Sequence, residues 1–349
     1  MKILVTGGAG FIGSNFVRHV LREKTDWEVV NYDVLTYAGN LENLQDVEED
    51  PRYTFVKGDI ADRKTVVEVL RSERCDRIIN FAAETHVDRS ILDPGPFLRT
   101  NVEGTQSLLE AARDVGVERF IQVGTDEAYG SLGEEGYFVE DSPLQPSSPY
   151  SASKTAADLL ALAYHKTYRL PVVVTRGTNN YGPYQFPEKL IPLAIANAMR
   201  DKPVPIYGDG LYRRDWIHVE DHCRGLLAIL ENGAIGEIYN IGADCEKTNL
   251  DVIRTILKTL GKPESLMRHV EDRPGHDRRY ATQAAKLRSE LGFEPEWSFD
   301  RGISETIRWY QEHRSWWERI IQGDYRRYYD DQYKGRLEGG GARREGDAG

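Results

Sequence analysis

Short, nearly continuous apolar runs alternate along the chain with longer stretches whose apolar residues return every three or four positions. Lys2-Ile3-Leu4-Val5-Thr6, Trp27-Glu28-Val29-Val30-Asn31-Tyr32, Tyr53-Thr54-Phe55-Val56-Lys57, Arg77-Ile78-Ile79-Asn80-Phe81, Arg119-Phe120-Ile121-Gln122-Val123 and Pro171-Val172-Val173-Val174-Thr175-Arg176 are of the first kind and predict buried strands. Phe16, Val17, Val20 and Leu21, then Val102, Leu108, Leu109 and Ala112, then Ala156, Leu159, Leu160 and Ala163 keep the period of a helix. Strands alternating with helices predict an α/β fold, a doubly wound parallel sheet followed by a smaller α/β domain. The passage between them falls in the glycine-, proline- and amide-rich stretch Gly177 to Pro192, and Glu237-Ile238-Tyr239-Asn240-Ile241-Gly242 reads as a strand that returns to the large sheet. The expected organisation is therefore residues 1–178 with 216–244 returning, an interleaved domain over 179–330, and a disordered tail over 331–349, where almost nothing can be buried.

The strand ends carry the candidate chemistry, because an open α/β sheet binds its ligands at the carboxyl ends of its strands. After the first strand, Gly7, Gly10 and Gly13 stand in a GxxGxxG arrangement that opens a helix at Phe11-Ile12. Glycines so placed give a tight turn, close approach of backbone to a pyrophosphate, and a helix N-terminus facing the phosphates. The second strand delivers Asp33 roughly 20 residues further on, where an acid accepts hydrogen bonds from an adenosine ribose and favours NAD over NADP. After the fifth strand comes Gly124-Thr125-Asp126-Glu127-Ala128-Tyr129-Gly130, a hydroxyl and two adjacent carboxyls that can divide proton donation from proton abstraction.

Tyr150 and Lys154 are four apart, on one face of the helix that follows a proline-rich loop. With 19 tyrosines in the chain, about one YxxxK is expected by chance, and Tyr53 with Lys57 supplies it on a presumed strand. A free tyrosine titrates near ~10, so a nearby ammonium and an oxidised nicotinamide are needed to favour the phenolate. His86-Val87-Asp88 reads as a hydrogen-bonded loop support, and His218 and His222, four apart but without the HExxH pattern, read as structural. Lys189, Arg213, Arg214 and Arg273 are cations able to clamp a diphosphate, although each arginine taken alone reads more readily as half of a surface ion pair.

Composition narrows the field. At 349 residues and 40% hydrophobic content the chain can bury a large core. A formal net charge of -11 argues against a general nucleic-acid surface. Cys75, Cys223 and Cys245 form no CxxC pair, so reduced, buried thiols are expected rather than a disulfide framework or a zinc site. No apolar run is long enough to span a bilayer and the N-terminus lacks the pattern of a signal peptide, so no membrane contact and a cytoplasmic location are expected.

The glycine pattern with Asp33, the Thr125-Asp126-Glu127 triplet, Tyr150 with Lys154, Asn179-Asn180-Tyr181-Gly182-Pro183 through Glu188-Lys189-Leu190-Ile191-Pro192, and Arg273-Pro274-Gly275-His276-Asp277 together resemble the dTDP-glucose 4,6-dehydratases of the extended short-chain dehydrogenase/reductase family. The likeness runs over all but the tail. It implies a Rossmann-like NAD domain and a sugar-nucleotide domain. NAD contacts fall at Gly7, Gly10, Phe11, Ile12, Gly13, Asp33, Asp59, Ile60, Ala82, Ala83, Thr100, Tyr150 and Lys154. Substrate contacts fall at Thr85, Asn179, Lys189, Leu190, Arg214, Asn249, Arg273 and His276.

By the same resemblance Tyr150 removes the proton of the glucose C4 hydroxyl as hydride passes to NAD, with Thr125 and Lys154 orienting and polarising that site. Glu127 then abstracts the C5 proton, Asp126 protonates the departing C6 hydroxyl, hydride returns to C6, and NAD is regenerated. The resemblance also implies a homodimer in which the helices after Asn101 and Tyr150 pack together. Ala128 stands where the family often has valine, and Gly177-Thr178 where it often has Cys-Ser, which bears more on pocket shape than on chemistry. A UDP-sugar 4,6-dehydratase, a UDP-glucuronate decarboxylase and a non-catalytic NAD-dependent sensor remain as alternatives; the adjacent acids speak against the decarboxylase, and the intact Tyr150, Lys154, Asp126 and Glu127 against the sensor.

Overall fold

The computed structural model describes residues 1–323, so the tail expected over 331–349 lies outside the described residues. In chain order the elements are β1 (Lys2–Thr6), α1 (Phe11–Glu23), β2 (Glu28–Asp33), β3 (Tyr53–Lys57), α2 (Arg63–Ser72), β4 (Arg77–Asn80), α3 (Val87–Leu92) and the single turn α4 (Gly95–Phe97). A π-helix (Leu98–Gly104), α5 (Thr105–Val115), β5 (Arg119–Thr125), a 3-10 turn (Asp126–Tyr129), α6 (Pro149–Tyr168), β6 (Val172–Gly177) and β7 (Asn179–Tyr181) follow. Then come α7 (Leu190–Ala198), β8 (Val204–Tyr207), β9 (Arg213–His218), α8 (Val219–Asn232), β10 (Ile238–Ile241) and β11 (Glu246–Thr248). The last elements are α9 (Asn249–Thr259), β12 (Met267–Val270), α10 (Ala285–Leu291), α11 (Phe299–Glu312) and α12 (Arg314–Gln322).

Among the described residues contacts divide the chain into two units, the larger made of 1–185, 213–247 and 274–306 and the smaller of 186–212, 248–273 and 307–323. The larger unit is built on a seven-stranded sheet in the order β10-β6-β5-β4-β1-β2-β3. Each neighbouring pair in it is parallel. Its strands are mainly apolar on both faces because both faces are covered. Ile3, Val5, Ile79, Ile121 and Val173 face one layer, with Phe16 and Val17 of α1 and Leu226 and Leu230 of α8. Their neighbours Leu4, Ile78, Phe120, Val172 and Val174 face the other, with Val66 of α2, Leu108 of α5 and Ala161 of α6. The period of two thus sorts one strand into two cores. Strand order reverses between β1 and β4, which makes the carboxyl ends of those strands the natural crevice of the sheet.

The segment from 274 to 306 is held to the larger unit by Asp221, fully buried near the start of α8. Its carboxylate accepts from the Glu296 amide at 3.0 Å and the Trp297 amide at 2.9 Å, and pairs with Arg224 at 2.9 Å. In the smaller unit β8 and β12 form a parallel pair with Val204 opposite Met267. There α7 packs on α9, and the buried Trp317 indole donates to the Tyr310 carbonyl at 2.8 Å. Among the described residues no helix is long and apolar enough to cross a membrane.

Asp221→Ala would remove the buried acceptor of two part-buried backbone donors, and we expect a loss of about 1–3 kcal/mol in urea unfolding. Asp221→Asn, which keeps an acceptor, is expected to lose less.

Candidate active site

The end of β1 is fixed by a turn that only glycine fits. Gly7 has φ +67°, and a Cβ there would stand 2.7 Å from the Ala82 nitrogen, so β1 and the end of β4 meet backbone to backbone. A Cβ on Gly13 would stand 2.3 Å from the Gly7 carbonyl oxygen, so the first turn of α1 lies directly on the loop. Gly10 caps α1 without a side-chain hydrogen bond, and its first turn, at Phe11 and Ile12, holds no acid. The leading amides of α1 therefore present positive charge to an anion. Asp33 ends β2 nearly buried; its carboxylate accepts from the Ala9 amide at 3.0 Å and the Leu35 amide at 2.8 Å, while burial pushes it above the ordinary range.

These features fit a dinucleotide. The cradle has no room for a side chain, its helix end lacks a capping group, and its acid is oriented by two backbone donors. The remaining cofactor candidates follow the same edge. Asp59 accepts from the Ala61 amide at 2.9 Å and from Arg99 at 2.6 Å, and Ile60 is buried. Ala82 and Ala83 continue from β4, half-buried, and Thr100 lies half-buried in the π-helix.

β5 ends at Thr125, whose hydroxyl accepts from the Glu127 amide at 3.3 Å and so caps the 3-10 turn that carries both acids. Asp126 is 2% exposed, and its Oδ2 is buried without a hydrogen-bond partner. Burial first, and the neighbouring Glu127 and Asp215 next, raise its pKa well above the carboxylate range, with Arg214 working the other way. A carboxyl so held stays neutral where free carboxylates are ionised. Glu127 is half-buried beside it.

Tyr150 is the second residue of α6, which opens on Pro149 and a capping box between Ser148 and Ser151. Its ring is almost buried and lies edge-on to Phe97, centroids 6.4 Å apart. Burial and then Glu127 raise the phenol's pKa, while a hydrogen bond to Thr125 lowers it. Lys154, one turn on and buried, donates to the Val123 carbonyl at 2.6 Å, and burial lowers its pKa. The spacing alone suggests a tyrosine eased towards its phenolate. In the chain by itself burial and carboxyl neighbours win, and one donor of the ammonium is given to the backbone of β5.

Asn101 carries a role that sequence patterns missed. It accepts from the Glu84 amide at 2.8 Å and donates to the Glu84 carbonyl at 3.0 Å and to Ser153 at 2.8 Å, and Ser153 donates to the Tyr150 carbonyl at 2.7 Å. One amide thereby ties the loop after β4 to the first turn of α6. Nothing in the local pattern, Leu98-Arg99-Thr100-Asn101-Val102-Glu103-Gly104, sets Asn101 apart from its polar neighbours. The second YxxxK, Tyr53 to Lys57, lies on β3, where the Tyr53 oxygen accepts from Asn31 at 3.0 Å.

Of the substrate candidates, Thr85, Asn179, Arg214 and His276 belong to the larger unit and Lys189, Leu190, Asn249 and Arg273 to the smaller. Arg214 is buried, donating to the carbonyls of Arg213 at 2.7 Å and Asp277 at 2.9 Å, its guanidinium 4.2 Å from the centre of the Tyr280 ring. Asn179 opens β7 with its Oδ1 buried and without a partner. Lys189 caps α7 and Leu190 begins it; Asn249 begins α9, its amide donating to the Tyr212 carbonyl at 2.9 Å. The Arg273 guanidinium lies 5.9 Å from the Tyr207 ring centre.

His218 caps α8 and stacks on Trp297 at 4.1 Å, with burial pulling its pKa down to about 4; His222 is pulled down by burial to about 3. Both are neutral, packed side chains. Among the described residues no group of three or more His, Cys, Asp or Glu is placed to hold a metal ion. Cys75 and Cys223 are buried and Cys245 is partly exposed, and all three are free thiols.

A carboxyl whose pKa is raised by folding costs stability as pH climbs from its ordinary value near ~3.9 through the raised one. Asp126→Asn should therefore raise the melting temperature, by more at about pH 8 than at about pH 4. Equal shifts at both, followed by calorimetry, would contradict a neutral Asp126.

The profile of the GDP-mannose 4,6 dehydratase family matches residues 4–306. A dTDP-glucose 4,6-dehydratase of Xanthomonas campestris pv. campestris (strain B100) is 50% identical over 341 residues, covering 93% of this chain and 97% of that protein. One from Streptomyces niveus is 52% identical over 328 residues, with the same shares covered. The dTDP-glucose 4,6-dehydratase DesIV of Streptomyces venezuelae, crystallised with NAD, superposes with a TM-score of 0.89 at 51% identity, over 92% of this chain and 100% of that one. The chain belongs to the dTDP-glucose 4,6-dehydratase family, within the extended short-chain dehydrogenase/reductases.

Proposed function

We infer that this protein is an NAD-dependent hydro-lyase that converts dTDP-glucose to dTDP-4-dehydro-6-deoxy-glucose. The observation that carries the reading is the pair of adjacent acids at the end of β5, one of them, Asp126, buried close to Tyr150 where burial pushes its pKa up. An epimerase on this fold has no water to eliminate and no use for such a pair.

Gly7, Gly10, Phe11, Ile12 and Gly13 would hold the pyrophosphate of NAD and Asp33 its adenosine ribose, with Asp59 and Ile60 at the adenine and Ala82, Ala83 and Thr100 along the rest of the dinucleotide. When bound, NAD supplies the oxidising capacity that makes C4 a ketone and returns the same electron pair at C6. Tyr150, aligned by Thr125, takes the proton of the C4 hydroxyl, and Lys154 provides the positive charge that this step needs against burial. The C4 ketone acidifies C5–H, Glu127 removes that proton, Asp126 gives its own to the departing C6 hydroxyl, which leaves as water, and C5 takes up a proton as the electron pair comes back at C6. General acid and general base are thus two neighbours whose titrations are pushed apart. Arg214, Arg273 and Lys189 offer charge to the diphosphate, while Thr85, Leu190, Asn179, Asn249 and His276 shape the sugar and base contacts.

A homodimer and a cytoplasmic site of action belong to the same proposal. Leu159 on α6 is 52% exposed and Leu98 on the π-helix 55%, apolar surface beside the two helices that pair in the resembled family. Leu159→Glu should shift sedimentation from dimer to monomer; a wild-type protein already monomeric at micromolar concentration would dispose of the dimer.

The chemistry is tested by incubating protein, NAD and dTDP-glucose in heavy water and following the product by mass spectrometry. Loss of one water, one deuterium at C5 and no net NADH are expected. Asp126→Asn should slow elimination by roughly 10²–10⁴-fold while sparing C4 oxidation, and Glu127→Gln should abolish C5 exchange. Turnover of UDP-glucose or UDP-glucuronate in place of dTDP-glucose would move the substrate assignment, and binding of NAD without turnover of any of them would leave a sensor.

A further inference from the structure

A buried charged pair that these roles leave unused lies behind the catalytic elements. Asp158 is 0% exposed and Arg176 1%, and their one hydrogen bond runs from Arg176 Nε to Asp158 Oδ2 at 3.1 Å. Asp158 Oδ1 is buried without a partner. Arg176 stands opposite Gly124 in the β5–β6 register, and its guanidinium lies 4.8 Å from the centre of the Tyr129 ring, whose hydroxyl donates to Asn240. A Cβ on Gly124 would sit 2.8 Å from both carboxylate oxygens of Asp158, so the carboxylate is pressed on β5 one residue before Thr125.

A buried ion pair with one hydrogen bond and an orphaned oxygen is a poor way to hold a helix on a sheet. Apolar side chains of the same volume do it as well or better. The arrangement makes sense through Lys154. Residues 154 and 158 are four apart in α6 and share a face, and the Lys154 ammonium reaches the Val123 carbonyl on the strand that Asp158 also touches.

We propose that Asp158, kept ionised by Arg176, is a positioning residue for this reaction, its negative charge holding the Lys154 ammonium charged and seated against β5. The inference rests on the reading of Lys154 given above. Burial works against the charge on Lys154, and Asp158 is the group that opposes it. Burial pushes Asp158 itself up to about 6, with Arg176 and then Lys154 pulling the other way. The titratable groups facing this pair are Tyr150 on α6 and Arg176 on β6, with Tyr129 after β5 met through the Arg176 guanidinium. The π-helix and α3 turn Asn101 and Ser90 towards the start of α6, α4 turns Phe97, and Glu110 of α5 is bonded to Tyr164, further along the helix.

The test uses the full-length protein with NAD and dTDP-glucose, and reads the pH dependence of C4 oxidation in a single turnover together with NAD affinity against pH by calorimetry. Removing an anion beside a buried ammonium lowers the ammonium's pKa. Asp158→Asn should therefore move the alkaline fall of both quantities down by ~1–2 pH units, the size expected for two charges a helical turn apart, with near wild-type values on the acid side. Should that variant not fold because Arg176 is left alone, the double variant Asp158→Asn with Arg176→Met removes both charges, and the same displacement is expected. A folded variant of either kind that melts earlier but keeps the wild-type alkaline limb overturns the inference. Lys154→Met separates the two layers of argument: if it retains C4 oxidation and NAD affinity, the role given to Lys154 fails, whereas its loss of both with an unmoved limb in Asp158→Asn condemns the role of Asp158 alone.

Discussion

The parallel pairing of β5 between β4 and β6 is the constraint on which the site depends. Its register sets Gln122 opposite Asn80 and Gly124 opposite Arg176, and it leaves Thr125 as the last paired residue, opposite Gly177. The two acids begin where that ladder ends. A slip of one residue would turn Thr125 to the opposite face of the sheet and carry the triplet away from α6. Buried polar groups hold the neighbouring strands in step: Asn80 donates to Gln122 at 2.9 Å and accepts from Thr6 at 2.6 Å. The strand ends of β1, β4 and β5 are therefore placed together by groups that touch no ligand.

Around that edge the molecule withholds water more than it supplies charge. Asp126, Tyr150, Lys154 and Asp158 are all buried, and for each of them burial is the largest influence on titration. Low polarity drives acids up and the ammonium down, towards the neutral forms, and the few fixed charges decide which group resists. That is a useful condition for moving protons in both directions at one pH, since neither donors nor acceptors are committed by solvent. It also explains why the cations cluster with their backs to carbonyls and aromatic rings, as Arg214 does on Tyr280 and Arg176 on Tyr129.

Much of this was legible along the chain. The strands announce themselves because both their faces are buried, and Asp33 follows from the length of one helix and one strand after Gly13. Tyr150 and Lys154 separate from Tyr53 and Lys57 by period alone, since a strand turns residues four apart to one face without bringing them together. What could not be read were partners distant in sequence. Asn101 looks like any polar residue in an amphipathic helix until the π-turn aims it at Glu84 and Ser153. Asp158 looks like a solvated acid on α6, and Arg176 like the polar end of a strand, because nothing local tells that the two elements press them together. The effect of burial on Tyr150 is likewise a property of packing, and no spacing rule contains it.

The return of β10 has a consequence for synthesis. β6 is flanked on one side by β5, and on the other by a strand that lies more than sixty residues further along, at Ile238–Ile241. While the chain is being made, six strands can pair as they emerge, yet one apolar edge stays open until Ile238–Ile241 has left the ribosome. An uncovered edge of Val172, Val173 and Val174 is the kind of surface on which nascent chains join one another. The order of segments that gives the finished sheet its seventh strand thus creates a period of vulnerability, and chaperone demand in the cell should be set by how long that edge waits.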